Sequence, residues 1–489
     1  MPGTVHPTKN ERARRFVVIG GGIAGLAAAH ELLGHPGVAV TVCEAGERLG
    51  GKVRTEDFAG VGLDLGPDAF LARRPEAVQL CRELGLDHEL VAPATTTAYL
   101  WSRGRLRRLP EGLVLGVPTR LGALARSRVL SPLGVARAAV EPLLVGRPLA
   151  GDAALGAVVR RRLGNEVHHR LVDPLVGGIN AGDTDRLSIE VAAPTLAAAA
   201  RRRRSLVAGA RAIAAAASGG GNGAENATLV PPERSMAGTA GPPAPVFLTL
   251  PGGLGRLVGA LAERVAAGGG EARTSAAVSA LQPTPDGRYL VHTPSENLEA
   301  DAVIVAIPAP ASATLLAPHA PEVAATLAAI DYASVTLVAL AFPPAAIRRP
   351  LDGSGFLVAR GEGRLMTACS WASSKWPHLG PSGQVVLRVS AGRAGDERAG
   401  ALDDGALVDR LRLELGEALG IDSPPGEVRV TRWHRAFPQY APGHLVRMAA
   451  AEAALAEHLP GVALAGAALA GVGLPACIAS GRSAAIRVV

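Results

Sequence analysis

The sequence predicts an α/β fold: a Rossmann-like nucleotide-binding domain, interrupted by an inserted mixed-sheet domain and a mainly helical region. Three observations predict it. FVVIGGGIAGLAAAHELL (16–33) reads as an apolar strand running through a glycine turn into a helix, TVCEAGERLGGKV supplies a second strand that ends at Glu44, and residues 455–489 return to the same strand, loop and helix style.

In the first stretch, residues 16–19 form a short apolar run suited to a buried parallel strand. Gly20, Gly22 and Gly25 follow with G-x-G-x-x-G spacing, and Gly21, Ile23 and Ala24 complete the turn. Gly20 permits a tight turn, Gly22 lets the backbone approach a pyrophosphate, and Gly25 lets the helix pack close to its strand. The helix expected over 23–33 then aims unpaired N–H groups at the phosphates. The second strand, expected over 38–42, leads to Glu44, 24 residues after Gly20. That interval suits an acid that accepts ribose hydroxyls and disfavours a 2′-phosphate. An adenine dinucleotide follows, with NAD and FAD both open at this point.

A chain of 489 residues has room for two or three domains, and 48% hydrophobic with 19% charged residues describes a globular protein. All but Lys9, Lys52 and Lys375 of the 50 basic residues are arginine, in a net charge of +7. Arginine suits bidentate contact with an anionic ligand, and a genomic bias toward Arg, Ala and Gly explains the excess as well. Nucleic acid is a poor fit: aromatic residues are 3% of the chain, no zinc-ligand spacing occurs, and residues 201–204 read as a solvated helix end. Cys43, Cys81, Cys369 and Cys477 form no C-x-x-C pair and read as packing thiols of a reducing, cytoplasmic setting. Residues 459–480 carry no charge over a length that could span a bilayer. Gly461, Gly466, Gly471, Gly473 and Pro475 instead predict a buried strand, loop and helix start.

The expected organisation begins with a loose tail, 1–15. A nucleotide-binding domain is assembled from 16–85, 246–310 and 455–489, a substrate domain from 86–109 and 311–454, and a helical domain from 110–205. SGGGNGAENATLVPPERSMAGTAGPPAP (218–245) has the composition of a flexible insertion. Strands are expected at 277–281, 289–292 and 302–307, as the chain returns to the nucleotide domain.

The segment after Glu44 narrows the cofactor. GERLGGKVRT is similar to the E-x-x-x-R-x-G-G-R/K stretch of flavin amine oxidases, which lies against the FAD phosphates; the likeness implies contacts from Ala45, Arg48, Gly51 and Lys52. No second G-x-G-x-x-G offers a separate nicotinamide site. VGLDLGPDAFLARRP, LVDPLVGGINAGDTDRLSIEVAAPTL, VFLTLPGGLGRLV, TACSWASSKWPHL, WHRAFPQYAPGH and GVGLPACIASG then occur in that order. Each resembles a stretch of the oxygen-dependent protoporphyrinogen and coproporphyrinogen oxidases, FAD enzymes of haem synthesis. The likeness covers nearly the whole chain outside the tail and the insertion. GPDAFLARRP and PQYAPGH look closer to the bacterial coproporphyrinogen III branch.

The resemblance implies a flavin amine oxidase type of FAD domain. Residues 20–25 would hold the pyrophosphate and Glu44 the adenosine ribose, with Val278 beside adenine. Gly66, Pro67, Asp68 and Ala69 would approach the isoalloxazine, and Ala467, Val472, Gly473 and Leu474 would hold the ribityl chain and ring through backbone N–H groups. Ala467 stands where many flavoproteins carry an Asp, so no carboxylate reaches the ribityl there. The implied reaction takes six electrons from coproporphyrinogen III in three hydride transfers to FAD, with molecular oxygen reduced to hydrogen peroxide. Such chemistry needs little acid–base machinery and no metal. Arg73, Arg74, Arg103 and Arg105 are candidates for propionate contacts, and Asp68 for a catalytic polar group near the reacting ring. Trp371, Trp376 and Trp433 line the pocket or fill the core.

Three other readings compete: a protoporphyrinogen IX oxidase, a flavin amine oxidase or carotenoid desaturase, and an FAD-binding scaffold without turnover. Amine oxidases generally frame the flavin with aromatic residues, whereas this chain has only four tyrosines and none in AALAGVGLP. The basic helical region is open to contact with a membrane surface or a ferrochelatase partner.

Overall fold

The computed structural model describes residues 13–144, 148–218 and 245–489. At its centre is a five-stranded parallel sheet in the order Glu271–Arg273, Val38–Cys43, Arg14–Ile19, Ala302–Val305, Val462–Leu464. Its inner strands are apolar on both faces because both are covered, one by helices and the other by a small sheet together with further helices. The helices Ile23–Leu32 and Leu474–Val488 pack together on one face, where a Cβ at Gly481 would lie 2.0 Å from the Ala24 carbonyl oxygen. Only hydrogen at that position allows so close a crossing.

The first strand begins at Arg14, inside the expected tail. Arg14 pairs with Val38, and its side chain donates to the carbonyls of Val488 and Val489, which orders the segment. The strand expected at 277–281 occurs at Ala280–Pro283. It pairs antiparallel with Tyr289–His292, and that strand with Asn297–Ala300, in a separate three-stranded sheet sharing a core with Val17, Ile19 and Val303. Helices Ala309–Leu316, Pro321–Ala328 and His444–His458 belong to that same core, although they lie in the span expected for the substrate domain.

The second large sheet is mixed and seven-stranded, ordered Glu427–Pro438, Tyr332–Phe342, Val385–Ala391, Met366–Trp371, Gly355–Val358, Tyr99–Ser102, Arg105–Arg108. One face is covered by Asp404–Leu419, whose Leu407, Leu411 and Leu415 meet Val338, Leu340, Leu387 and Val389. Between 110 and 205 the chain is mainly helical, with a small hairpin of Leu113–Val114 and Val117–Pro118 among the helices. His168–Gly177 is a π-helix with Pro174 inside it; proline has no N–H to donate, which favours the wider turn. The four arginines at 201–204 are exposed at the end of Pro194–Arg202. Residues 219–244, nearly all of the expected insertion, lie outside the described residues. Among the described residues all four cysteines are free and buried, and no helix is long and apolar enough to cross a membrane.

Candidate functional site

The glycine turn shows the division of labour that its spacing predicts. Gly20 has φ +107°, where a side chain would also meet the Ala306 carbonyl oxygen at 2.7 Å. A Cβ at Gly25 would lie 1.9 Å from the Gly20 oxygen, whereas one at Gly22 would meet nothing within 4 Å. Gly22 caps the first helix without a side-chain hydrogen bond, and Ile23 and Ala24 begin its first turn, so that turn offers unpaired N–H groups. Glu44 accepts from the Gly21 and Gly46 amides, each at 2.8 Å, leaving lone pairs free on both oxygens.

The second glycine loop is bonded to the first. Gly50 N donates to the Gly21 carbonyl at 2.8 Å, and a Cβ on Gly51 would come within 3.3 Å of Gly22 Cα. Arg48 does more than supply charge: its guanidinium donates to the Leu49, Gly51 and Val53 carbonyls and so shapes the loop. Ala45 is exposed at the strand end. Val278 follows a segment tied alongside it, through Glu44 N to Arg273 O and Ala276 N to Glu44 O.

Gly66 sits against Lys52, where a Cβ would lie 2.0 Å from the Lys52 carbonyl oxygen. Its own carbonyl accepts from Arg388 Nη2 at 2.6 Å. Pro67 and Ala69 flank Asp68, whose Oδ2 accepts from Lys375 Nζ at 2.9 Å and Trp376 Nε1 at 3.2 Å and pairs with Arg388 Nη1 at 3.0 Å. Burial works to raise the Asp68 pKa, but Lys375 and Arg388 together hold it well below the usual carboxylate range. Asp64, 6% exposed, is the opposite case: burial pushes it up to about 6 despite bonds from Thr55 and the Leu254 amide. Burial lowers the Lys52 pKa, opposed by the neighbouring Cys477.

On the other side of the turn, the Ala467 carbonyl accepts from Tyr440 Oη at 2.6 Å, and the Ala468 carbonyl lies 2.9 Å from His444 Nε2. Val472 leads into Gly473, which caps the helix beginning at Leu474 without a side-chain bond, so backbone N–H groups are open there too.

This geometry has relatives. The family described as flavin-containing amine oxidoreductases matches residues 23–489. The chain belongs to that family. It is an FAD-dependent oxidoreductase. A protein of Propionibacterium freudenreichii named coproporphyrinogen III oxidase is 38% identical, over 100% of this chain and 93% of that one. A Bacillus subtilis protein of the same name is 34% identical over 96% and 97%. A crystal structure described as a putative protoporphyrinogen oxidase from Exiguobacterium aligns with TM-score 0.83 and 31% identity, covering 97% of this chain and 98% of that one.

The flavoenzyme's residues fit FAD. The open space over Gly22, two uncapped helix starts and the Glu44 carboxylate at the end of its strand provide for phosphates and ribose.

The flavoenzyme also has a half-buried strand face that local sequence patterns do not reveal. Leu337, Ser390, Ala368 and Leu357 are in register across four adjacent central strands, on the face opposite the covering helix, yet all four are half-buried. Neighbouring strands lie about 4.8 Å apart, so the row is about 14 Å wide. Ile179, 49% exposed in the helical turn that continues the π-helix, follows Gly178, which lies near Leu357. Trp371 and Trp376 are buried, and Trp433 is tied through Nε1 to the Leu65 carbonyl at 2.8 Å.

The four candidate arginines are dispersed. Arg73 is half-buried just beyond residues 66–69, its Nε without an acceptor, and Arg74 pairs with Glu76 at 3.4 Å. Arg103 and Arg105 are exposed on the hairpin that joins the edge strand, four strands from Arg388. The structure therefore does not bring that second pair to the loop that carries Asp68.

Proposed function

We propose that this flavoenzyme oxidises coproporphyrinogen III to coproporphyrin III in cytoplasmic haem synthesis, with molecular oxygen as the final acceptor. The observation that carries the reading is full-length similarity to proteins named for that reaction, at 38% and 34% identity. The wide half-buried row beside Ile179 supports it, because the puckered tetrapyrrole of a porphyrinogen, with carboxylates only at its rim, needs a broad floor.

In this reading Gly20, Gly21, Gly22, Ile23, Ala24 and Gly25 bind the FAD pyrophosphate, with Arg48, Gly51 and Lys52 alongside. Glu44 and Ala45 meet the ribose and Val278 the adenine. Gly66, Pro67, Asp68 and Ala69 form one side of the ring site, and Ala467, Val472, Gly473 and Leu474 the other. FAD supplies the two-electron acceptor, used three times per macrocycle, with peroxide formed at each reoxidation. Asp68 stays ionised across the neutral range, so it neither gives nor takes a proton. Its work is to hold Lys375 and Arg388, and through Arg388 the Gly66 carbonyl, in place at the ring site.

The test is turnover of the purified holoenzyme on coproporphyrinogen III and protoporphyrinogen IX, with and without oxygen, followed by porphyrin fluorescence and peroxide. Faster, oxygen-dependent oxidation of the tetracarboxylate with three peroxides per porphyrin is expected; no turnover of either substrate would end this reading. Preference for protoporphyrinogen IX would instead favour the second reading, for which the Exiguobacterium similarity speaks.

A further inference from the structure

We propose that Arg393 is a carboxylate anchor beyond the end of the half-buried strand face remote from Asp68, and that it selects for the more highly carboxylated macrocycle. The inference rests on the porphyrinogen reading. It begins with the strand Val385–Ala391, which carries Arg388 beside Asp68 and then contributes Ser390 to the half-buried face. Five residues beyond Arg388, at most about 17 Å along an extended chain, comes Arg393. Its position is fixed by its neighbour: Ala394 N donates to the Ala181 carbonyl at 2.8 Å, two residues beyond the exposed Ile179.

The charges around Arg393 do not balance. Asp173 and Asp396 are the acids that face it, and Arg360 and Arg398 are the other cations. Arg360 already bonds Asp173 at 3.3 Å and the Gly182 carbonyl at 2.9 Å, while Arg398 grips Asp396 through Nε at 2.8 Å and Nη2 at 2.7 Å. Two acids are thus matched by two arginines. Arg393 is the third cation, half-buried, with no carboxylate within 4 Å among the described residues, and its Nε is buried without an acceptor there. Burial, aided by Arg360, works against its charge.

A guanidinium cannot shed its proton to escape such a place. An incoming carboxylate would supply both the missing charge and two acceptors in the planar geometry that arginine matches. The half-buried Arg73, on the Asp68 side, is likewise without an acceptor. The two define opposite ends for a substrate that carries acids on several sides. Loss of Arg393 should therefore matter more when the macrocycle bears four carboxylates than when it bears two.

The experiment compares FAD-loaded wild-type, Arg393→Gln and Arg393→Lys proteins. The readouts are KM and kcat on coproporphyrinogen III and protoporphyrinogen IX, and Kd for the product-like coproporphyrin III and its tetramethyl ester. Expected for Arg393→Gln is a rise of about tenfold or more in KM and Kd for the tetracarboxylates, at unchanged melting temperature and flavin content. Little change is expected for protoporphyrinogen IX or the ester, and partial recovery for Arg393→Lys. Equal losses on both porphyrinogens, a loss on the ester, or no loss at all would overturn the assignment. Should the wild type oxidise neither porphyrinogen, the reaction reading falls alone. The anchor then stands if coproporphyrin III binding still depends on Arg393, and falls if it does not.

Discussion

Replacing Asp68 with Asn keeps the side chain's size and removes one charge from a cluster of three. In the native protein a single oxygen, Oδ2, serves Lys375, Arg388 and Trp376 at 2.9, 3.0 and 3.2 Å. The two cationic side chains are only 16% and 9% exposed, so water cannot readily take over. Removing one partner of a fully buried pair costs about 3–5 kcal/mol, and the solvent access that remains here lowers this to about 2–4 kcal/mol. At roughly 2–4 °C per kcal/mol for a large domain, the melting temperature should fall by about 5–15 °C. The loss has a predictable pH dependence. A carboxylate whose folded pKa lies below its unfolded value of 3.8 stabilises fully above that value and loses its contribution as pH falls through the folded pKa. Denaturation of the apoproteins at several pH values should therefore show a wide gap between wild type and Asp68→Asn at pH 7 that narrows in acid below about pH 4. Equal midpoints at pH 7, or a gap that grows in acid, would refute the ion-pair account. Unchanged turnover in addition would remove Asp68 from the ring site altogether.

Two glycine variants should separate cofactor space from protein space. Gly22→Ala, with φ −73° and nothing within 4 Å of its new Cβ, should leave apoprotein stability within about 0.5 kcal/mol while weakening FAD binding as read by flavin titration. Gly25→Ala, whose Cβ would sit 1.9 Å from a backbone oxygen, should destabilise the apoprotein itself; the reverse pattern would place the cofactor elsewhere. Asp64 titrates in the opposite sense to Asp68. Its folded pKa of about 6 lies above its unfolded value of 3.8, so its contribution is complete below about pH 4 and declines through pH 6, by about 3 kcal/mol in all. Asp64→Asn should flatten the wild-type stability curve between pH 4 and 7, and a variant curve parallel to wild type would remove Asp64 as its cause.

What the sequence made legible was local. Strand, glycine turn, helix and second strand lie within thirty-odd residues, where apolar runs and glycine spacing determine the outcome, and Glu44 follows at a fixed interval. The half-buried strand face was not legible, because Leu337, Ser390, Ala368 and Leu357 become neighbours only through strand register. Asp68 was singled out, yet its partners Lys375 and Arg388 lie some three hundred residues away, and nothing near Asp68 announces that its charge is already matched. Arg393 has no signature in the sequence, because its signal is an imbalance that exists only once Asp173, Arg360 and Asp396 have been gathered around it. The strand expected at 277–281 lies at Ala280–Pro283, because an apolar run alone does not fix where strand pairing begins.

The order of strands in the parallel sheet has a consequence for biosynthesis. Arg14–Ile19 is made early but lies between Val38–Cys43, its immediate successor, and Ala302–Val305, while Val462–Leu464 completes the sheet beyond. At about 5–20 residues per second, a ribosome needs roughly 20–90 s to deliver that final strand and the helix after it. Throughout that interval the glycine turn is synthesised but lacks the Gly481 crossing that seats its helix. A nascent chain short of that helix is therefore expected to expose an apolar strand edge and to bind the nucleotide poorly, with flavin captured after synthesis. Truncation within the closing helix should accordingly yield not a weakened flavoprotein but a colourless one.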